Sequence, residues 1–355
     1  MKRLLAKWTR PLSVGLVISL LLMMAFGVFY LIFIPVDCSK PLEGIPVEIH
    51  VTPIEVTSPL SRRSAEISGM DWYGDTLIIL PQYFNHAVGR VIYAIPKSAI
   101  MEYLANPGSS PLEPIRIPVD DQNFGDDLEN GFEGYESVAF IGNQIFLTVE
   151  VSARDGMVGY IISGEIEPDL SRVVLDIDGR QTIPLQQQID NTTNEALFPN
   201  GDKLVTLFEA NGVVINPEPV AQVYDSGLNL LEELPFPTIE YRVTDATRLD
   251  ADNNFWVLNI YSLGTVDLKP QNDQIGQPYR DTCRHPFYYG IERLVEMHYD
   301  PVSGISLTSS QPIFLSQNGN LFSRNWEAIV RLDDLGFLIA SDKYPETEIG
   351  FVPLP

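Results

Sequence analysis

Polar and acidic residues recur at fixed places in five similar stretches of the chain, and these residues are the ones best suited to chemistry. Each stretch reads as a polar residue, an apolar strand, a tight turn and a second apolar strand that ends in another polar residue. The opening positions form a first column: Ser68, Glu136, Glu195, Asp245 and Glu327. The closing positions form a second column: Gln82, Glu150, Glu209, Asn259 and Asp342. The interval between the two members of a pair is the same in four stretches and one position longer in the last, which indicates structural repeats.

The first column predicts a site for a hard cation. Four carboxylates and one hydroxyl would converge there, and like charges a few ångströms apart repel strongly at the low dielectric of a protein interior. Such a group is stable when some carboxyls are protonated or when a cation lies among them. Oxygen ligands without histidine or cysteine favour a hard ion, and Ca²⁺ accepts six to eight oxygens with loose geometry. We therefore predict one axial Ca²⁺ bound by the first column.

The second column, together with Lys343, is predicted to bind a substrate or to transfer protons next to the ion. The alternative for the acids in both columns is structural. In that interpretation each acid only caps its strand or pairs with a neighbouring arginine, such as Arg248 or Arg331.

The repeats predict an all-β fold, a five-bladed β-propeller formed by residues 45–355. Successive first-column residues recur at intervals of several tens of positions, which suits blades of four short antiparallel strands around a channel. In such a blade both columns would lie at the same mouth of the channel. Residues 45–56 would complete the last blade, because closing the circle removes two open sheet edges. Residues 262–289 are predicted to be a long loop, and a sixth blade is the alternative.

The N-terminal segment predicts a membrane anchor. Residues 1–10 contain four basic residues, and residues 11–35 contain no charged residue. An apolar run of this length spans the roughly 30 Å of a bilayer core, and its basic flank is expected to stay in the cytoplasm. We interpret residues 1–10 as a cytoplasmic tail, 11–35 as a transmembrane signal anchor and 36–44 as a tether. A cleaved signal peptide is the alternative, although its apolar region is usually shorter.

Charge and cysteine content characterise residues 36–355, the part of the chain that is predicted to lie outside the membrane. Residues 36–355 contain 19 of the 23 basic residues and all 47 acidic ones, a formal net charge of −28. This surface repels nucleic acid, so that no nucleic-acid partner is expected. Cys38 and Cys283 are the two cysteines, and an extracytoplasmic location would allow them to pair; two free thiols are the alternative.

The predicted site resembles that of the calcium-activated nucleotidase (apyrase) family, which are five-bladed propellers with an axial calcium ion. The resemblance covers residues 45–355 and rests on the first column, whose fourth member is an acid where that family typically has Ser. Six-bladed calcium lactonases and phytase-like propellers are similar in their acid-rich channels. The resemblance implies calcium-dependent hydrolysis of a phosphoanhydride or a small ester at the channel mouth.

Two functions are therefore predicted for this membrane-anchored, extracytoplasmic domain. The first is calcium-dependent hydrolysis of a small ester, lactone or phosphoanhydride. The alternative is a non-catalytic module in which the ion only holds the blades together and the surface binds a partner protein. Nucleotide phosphates require surrounding cations, and the low number of basic residues near the two columns favours the second function for phosphate substrates. Motifs of serine hydrolases, zinc proteases, P-loop and dinucleotide-binding proteins do not occur in the sequence.

Overall fold

The computed structural model describes residues 48–84, 89–128, 131–262, 265, 268, 272–279, 290–317, 323–342 and 346–355. The predicted tail, signal anchor and tether, both cysteines and Lys343 lie outside these residues. Within the described part, none of the helices is long and apolar enough to span a membrane.

Strands account for most of the described chain. The strands that follow the start of the first repeat are β2 (Ile67–Tyr73), β3 (Thr76–Pro81), β4 (Val91–Pro96), β5 (Ile115–Asp120), β6 (Phe132–Ile141), β7 (Gln144–Ala153), β8 (Gly156–Ile166) and β9 (Val173–Ile183). The next are β10 (Asn194–Asn200), β11 (Lys203–Phe208), β12 (Val220–Asp225), β13 (Leu230–Pro235), β14 (Arg242–Ala246), β15 (Asn254–Tyr261), β16 (Ile291–Asp300), β17 (Gly304–Leu307) and β18 (Ile313–Phe314). The last are β19 (Trp326–Leu332), β20 (Gly336–Ser341) and β21 (Ile349–Pro353), which form a sheet with the first strand, β1 (Thr52–Ile54).

The described part of the chain contains only a few helices, and all of them are short. They are α1 (Lys97–Ala105), α2 (Phe124–Asp127) and two 3₁₀ turns at Arg63–Ala65 and Gln277–Tyr279. Helix α2 is a single turn in the segment before β6.

The strands follow the meander that the repeats predict. Strands β10–β13 form one antiparallel sheet, β14–β17 form another with β18 beside β16, and β1, β21, β20 and β19 form a third. Strands β2–β9 form one eight-stranded sheet, because the outer strands β5 and β9 of two successive repeats pair in parallel. This contact covers two outer edges that would otherwise expose unpaired backbone groups.

The five inner strands of the described chain form a closed ring. Each packs against two others, in the order β2, β6, β10, β14, β19 and back to β2. Sheets that radiate from such a ring form a β-propeller. Closure occurs as predicted, because β1 pairs antiparallel with β21 and so joins the two ends of the chain. Most of residues 262–289, for which a long loop or alternatively a sixth blade was predicted, lie outside the described part.

The apolar core lies between neighbouring sheets. Phe198 of β10 contacts Phe255 of β15 with ring centroids 4.8 Å apart, and Trp256 contacts Phe337 of β20 at 5.3 Å. Alternate residues of each strand face opposite sides of the sheet, so every sheet contributes to two such layers. This packing fixes the inner strands and leaves their first residues at one end of the ring.

Candidate active site at one end of the strand ring

A β-bulge near the start of each inner strand positions the first-column side chains. At the equivalent point of every repeat, the pairing of the inner strand with its neighbour skips one residue, and β6 has a second skip, at Glu133. The residues skipped at the equivalent point are Ser68, Glu136, Glu195, Thr244 and Glu327. A bulged residue has no direct cross-strand partner, and bulges commonly redirect side chains next to functional sites. Four of the five predicted first-column residues therefore occupy equivalent positions.

Asp245 and Asn259 lie one position away from their columns, in opposite directions. The bulge places Thr244 in the first column and leaves Ile260 as the closing residue of that repeat. Asp245 instead accepts a hydrogen bond from the backbone N–H of Ile329 at 2.7 Å and so links two neighbouring inner strands. The turn between β14 and β15 is longer than the two-residue turns of the first three repeats, which is why a constant spacing concealed this shift.

Arg242 lies at the centre of the acidic residues. Its Nε donates to Glu209, its Nη2 donates to Glu195 at 3.0 Å, and its Nη1 lies 3.2 Å from Glu327. Nη1 also donates to Asn325 at 2.9 Å, so that all three guanidinium nitrogens are used. Arg242 was not among the predicted site residues. Its sequence signal is weak, since one arginine at the start of a strand is compatible with many surface positions.

Two further carboxylates complete the group, which we call the carboxylate cluster: Glu136, Glu150, Glu195, Glu209 and Glu327. Each of the five is between 1% and 8% exposed. Gln82 Nε2 donates to Glu136 at 3.3 Å. One oxygen of Glu150 and one of Glu209, Oε2 in both cases, are buried without a hydrogen-bond partner among the described residues. Asp342 lies beside the cluster, where its Oδ2 is 3.5 Å from the side-chain amide of Asn325.

Burial, repulsion between the carboxylates and attraction to Arg242 together determine the pKa values in the cluster. Burial, followed by repulsion from Glu209, raises the pKa of Glu150 to about 8. Burial raises the pKa of Glu327 to about 7 although Arg242 lowers it, and burial also raises the pKa values of Glu136 and Glu195 well above their ordinary value. Burial lowers the pKa of Arg242, but the surrounding carboxylates raise it by a larger amount, so Arg242 stays charged.

The described side chains do not fit the predicted calcium ion as a set of five ligands. Glu195 and Glu327 already accept from Arg242, the Ser68 hydroxyl donates to the carbonyl of Tyr135 at 2.5 Å, and Asp245 points elsewhere. In the described part of the chain, no three histidine, cysteine or carboxylate side chains are grouped so that they could hold a metal ion. Arg242 thus supplies positive charge where the sequence predicted an ion.

Gly134 gives Gln82 and Glu136 the space they occupy. A Cβ at this position would lie 2.3 Å from Gln82 Cγ and 2.7 Å from Glu136 Oε1, and φ is +151°. We expect Gly134→Ala to lower the free energy of unfolding by about 1–3 kcal/mol through overpacking, as measured by chemical denaturation. Gly142→Ala is the matched control, because its φ is also positive, +59°, but a Cβ there has no atom within 4 Å. An equal loss in both variants would show that backbone conformation alone sets the cost.

The opposite end of the ring has different chemistry. Arg248 donates to both oxygens of Asp71 at 2.7 Å, and Arg331 contacts Asp250 at 3.2 Å. These two arginines therefore pair at this end, and the arginine that contacts the cluster acids is Arg242. A cavity of about 450 Å³ lies at this end and is lined by these four residues, by apolar side chains and by three further acids, Asp252, Asp333 and Asp334.

Comparisons with known proteins found solved structures that are similar over most of this chain. No family model and no curated protein matches the chain. An arabinanase of Bacillus subtilis is similar at 10% identity over 81% of this chain and 93% of its own, with a TM-score of 0.42. A glycosyl hydrolase of Bacteroides ovatus is similar at 10% identity over 88% and 92% of the two chains, with a TM-score of 0.43. A GH32 β-fructofuranosidase of Bombyx mori is similar at 12% identity over 85% and 61%, with a TM-score of 0.42.

With identities of 10–12% and TM-scores of 0.42–0.43, these similarities assign neither a family nor an activity to this chain. The nucleotidase family inferred from the sequence stays a prediction.

Proposed function

We propose that the chain is a hydrolase, built as a five-bladed propeller, whose active centre is the carboxylate cluster. The observation that carries this proposal is the pair Glu150 and Glu209. Glu150 holds a proton at neutral pH because burial and Glu209 raise its pKa to about 8, whereas Glu209 is in an ion pair with Arg242. General acid–base hydrolysis requires a carboxyl group that can donate a proton close to a group that can accept one.

The roles of the two residues follow from the raised pKa of Glu150 and from the ion pair of Glu209 with Arg242. Glu150 would donate a proton to the leaving oxygen of the substrate. Glu209 would accept a proton from the attacking water through its Oε2 atom. Both Oε2 atoms are buried and lack partners in the described structure, so each can bind a substrate group or a water molecule.

The hydrogen-bonding capacity of the cluster defines the substrate class. Arg242, Gln82 and Asn325 all donate to cluster residues or to one another. Of the two buried atoms without a partner among the described residues, Glu209 Oε2 is an acceptor, whereas Glu150 can donate while it holds its proton. A ligand must therefore offer an acceptor oxygen to Glu150, and Glu209 can bind a hydroxyl group or the attacking water. A phosphoanhydride supplies further negative charge, so the proposed substrates are uncharged esters, lactones or other uncharged compounds whose leaving oxygen can accept a proton.

Activity measurements on single variants test this function. We expect Glu150→Gln and Glu209→Gln each to lower kcat by about 10²–10⁴-fold, the usual contribution of a general acid or base. Glu218→Gln is the matched control, since Glu218 is exposed and lies outside the cluster. The assay would use the full-length chain in detergent with p-nitrophenyl esters, lactones, aryl glycosides and nucleoside triphosphates. Full turnover in both cluster variants, or preference for the triphosphate, would contradict the proposal.

A non-catalytic module is the second candidate, and the position of Arg242 favours it. Arg242 contacts Glu195, Glu209 and Glu327 and thereby connects inner strands of three different repeats. In this case the cluster only stabilises the ring, and the surface binds a partner protein. No turnover on any compound of the panel, together with a strong loss of stability in Arg242 variants, would support this candidate.

Calcium binding also remains a proposal, because a cation could balance the cluster instead of protons. Metal content and melting temperature would be measured at pH 6 and pH 8, with calcium and with a chelator. One bound calcium per chain that is lost in Glu136→Gln would support the ion. No bound calcium and no change in melting temperature would support protons. The signal anchor and the extracytoplasmic location are likewise proposals, and protease accessibility of the domain in sealed membranes would test them.

A further inference from the structure

Tyr241 has a backbone conformation that large residues rarely adopt, and it directly precedes Arg242. Its φ is +71°. For a residue with a Cβ atom, this left-handed region costs about 1–2 kcal/mol. Such a conformation persists only where the surrounding structure holds it, and it is commonly found near functional sites. Contacts around Tyr241 must therefore hold its backbone in this conformation.

Asn259 holds the backbone on both sides of Tyr241. Its side-chain amide donates to the carbonyl oxygens of Glu240 and Arg242, both at 2.9 Å. Asn259 is completely buried. Because these two carbonyls flank Tyr241, the amide fixes the dihedral angles between them and hence the direction in which Arg242 leaves the strand.

Arg293 holds both Asn259 and the ring of Tyr241. Its Nε donates to Asn259 Oδ1 at 2.7 Å, and its guanidinium lies 5.4 Å from the centre of the Tyr241 ring. The ring of Tyr261 also packs against that of Tyr241, with centroids 5.3 Å apart. Arg293 is completely buried, and Asp273 balances its charge through two hydrogen bonds of 2.6 and 3.0 Å.

We infer that Asn259, Arg293 and Asp273 are positioning residues, which direct the Arg242 guanidinium into the carboxylate cluster. The segment 272–279, which carries Asp273, is thereby coupled to the charge of the candidate active site. The inference rests on the proposed function only for its effect on turnover, since the geometry of Arg242 is independent of any substrate. If these residues did not position Arg242, the same contacts would only stabilise the pairing of β15 with β16.

The titration of the cluster distinguishes positioning from simple stabilisation. Arg242 faces Glu195, Glu209 and Glu327 directly, while Glu136, Glu150 and Asp342 complete the acidic surroundings. Attraction to Arg242 lowers the pKa values of Glu150, Glu195 and Glu327, so a displaced Arg242 would let these groups keep their protons to higher pH.

The test uses Asp273→Asn in the full-length chain, with Asp250→Asn at the opposite end of the ring as the matched control. We expect Asp273→Asn to move the midpoint of the pH-dependent stability change upward by about one pH unit, the scale of one nearby charge. The same shift is expected in the pH profile of kcat/KM. The control should leave both midpoints in place. A loss of stability in Asp273→Asn with an unchanged midpoint would overturn the inference.

Tyr241→Gly in the Asp273→Asn background gives a second, independent result. Glycine adopts positive φ without a steric cost, so the double variant should recover the midpoint of the parent chain even though the ring is lost. Failure of this rescue would also count against positioning. If no substrate is turned over by any variant, including the parent, the stability midpoint still reports on Arg242, so a failure of the proposed hydrolase is distinguished from a failure of this inference.

Discussion

Replacing Arg242 with glutamine is expected to lower the free energy of unfolding by about 3–5 kcal/mol at pH 7, the range for removing one partner of a buried ion pair. The reason is that Glu195, Glu209 and Glu327 would lose the cation they contact while staying buried. The loss should be smaller at pH 5, because protonated carboxyls need no counter-charge. Denaturation in urea at the two pH values measures both quantities.

Arg331→Gln is the control for this experiment. Arg331 is partly exposed and pairs with Asp250 and Asp334 at the opposite end of the ring. Ion pairs of this kind contribute about 0–1 kcal/mol, so a small and pH-independent change is expected. An Arg242→Gln chain that loses less than the control, or the same amount at both pH values, would show that the cluster does not depend on its arginine. Arg242→Lys should remain destabilised, since an ammonium group cannot reproduce the contacts of a planar guanidinium.

The stability of the chain is expected to fall as the pH rises from about 5 to 8. Burial raises the pKa of Glu327 to about 7 and that of Glu150 to about 8, from 4.5 for both. Between these values the folded state binds more protons than the unfolded state, so the free energy of unfolding decreases with pH. Each such group contributes up to about 1.4 kcal/mol per pH unit, and the total over this window is on the order of several kcal/mol.

The slope can be assigned to the cluster with one substitution. Glu150→Gln removes a group that titrates near pH 8, so its stability should change less between pH 7 and 8 than that of the parent chain. Carboxyls with lowered pKa values, such as Asp225 and Asp300, act below pH 4 and do not affect this window. Stability that rises from pH 5 to 8 would mean that the cluster is fully ionised and balanced by charge of another origin.

The sequence was sufficient for the repeat structure because strand pairs are local features. Alternation of apolar residues, tight turns and an even spacing of the polar positions identified the inner strands and the strand beside each of them. The closing contact of β1 with β21 was also predictable, since unpaired edges at the two ends of the chain have one simple partner in each other. In the four repeats other than the one that contains Asp245 and Asn259, the strand register puts the column residues at the positions that the spacing indicates.

The two exceptions, Asp245 and Asn259, show the limit of spacing. The longer turn of this hairpin puts the equivalent pair, Thr244 and Ile260, two positions further apart than in the first three repeats. The constant interval therefore matched the polar residues one position inside that pair, and only the hydrogen-bonded register reveals which residue is skipped. The eight-stranded sheet was equally hidden. The parallel contact of Val119 with Val173 joins the outer strands of two successive repeats, and no local pattern encodes it.

What the sequence determined by itself is the fold class and the concentration of acids at one end of the strand ring. It did not determine how their charge is balanced. Five carboxylates can be stabilised by an ion, by protons or by an arginine, and composition alone does not distinguish these solutions. The tertiary structure places Arg242 among them and raises the pKa values of Glu150 and Glu327, because burial and the direction of one side chain depend on contacts between strands that are distant in sequence.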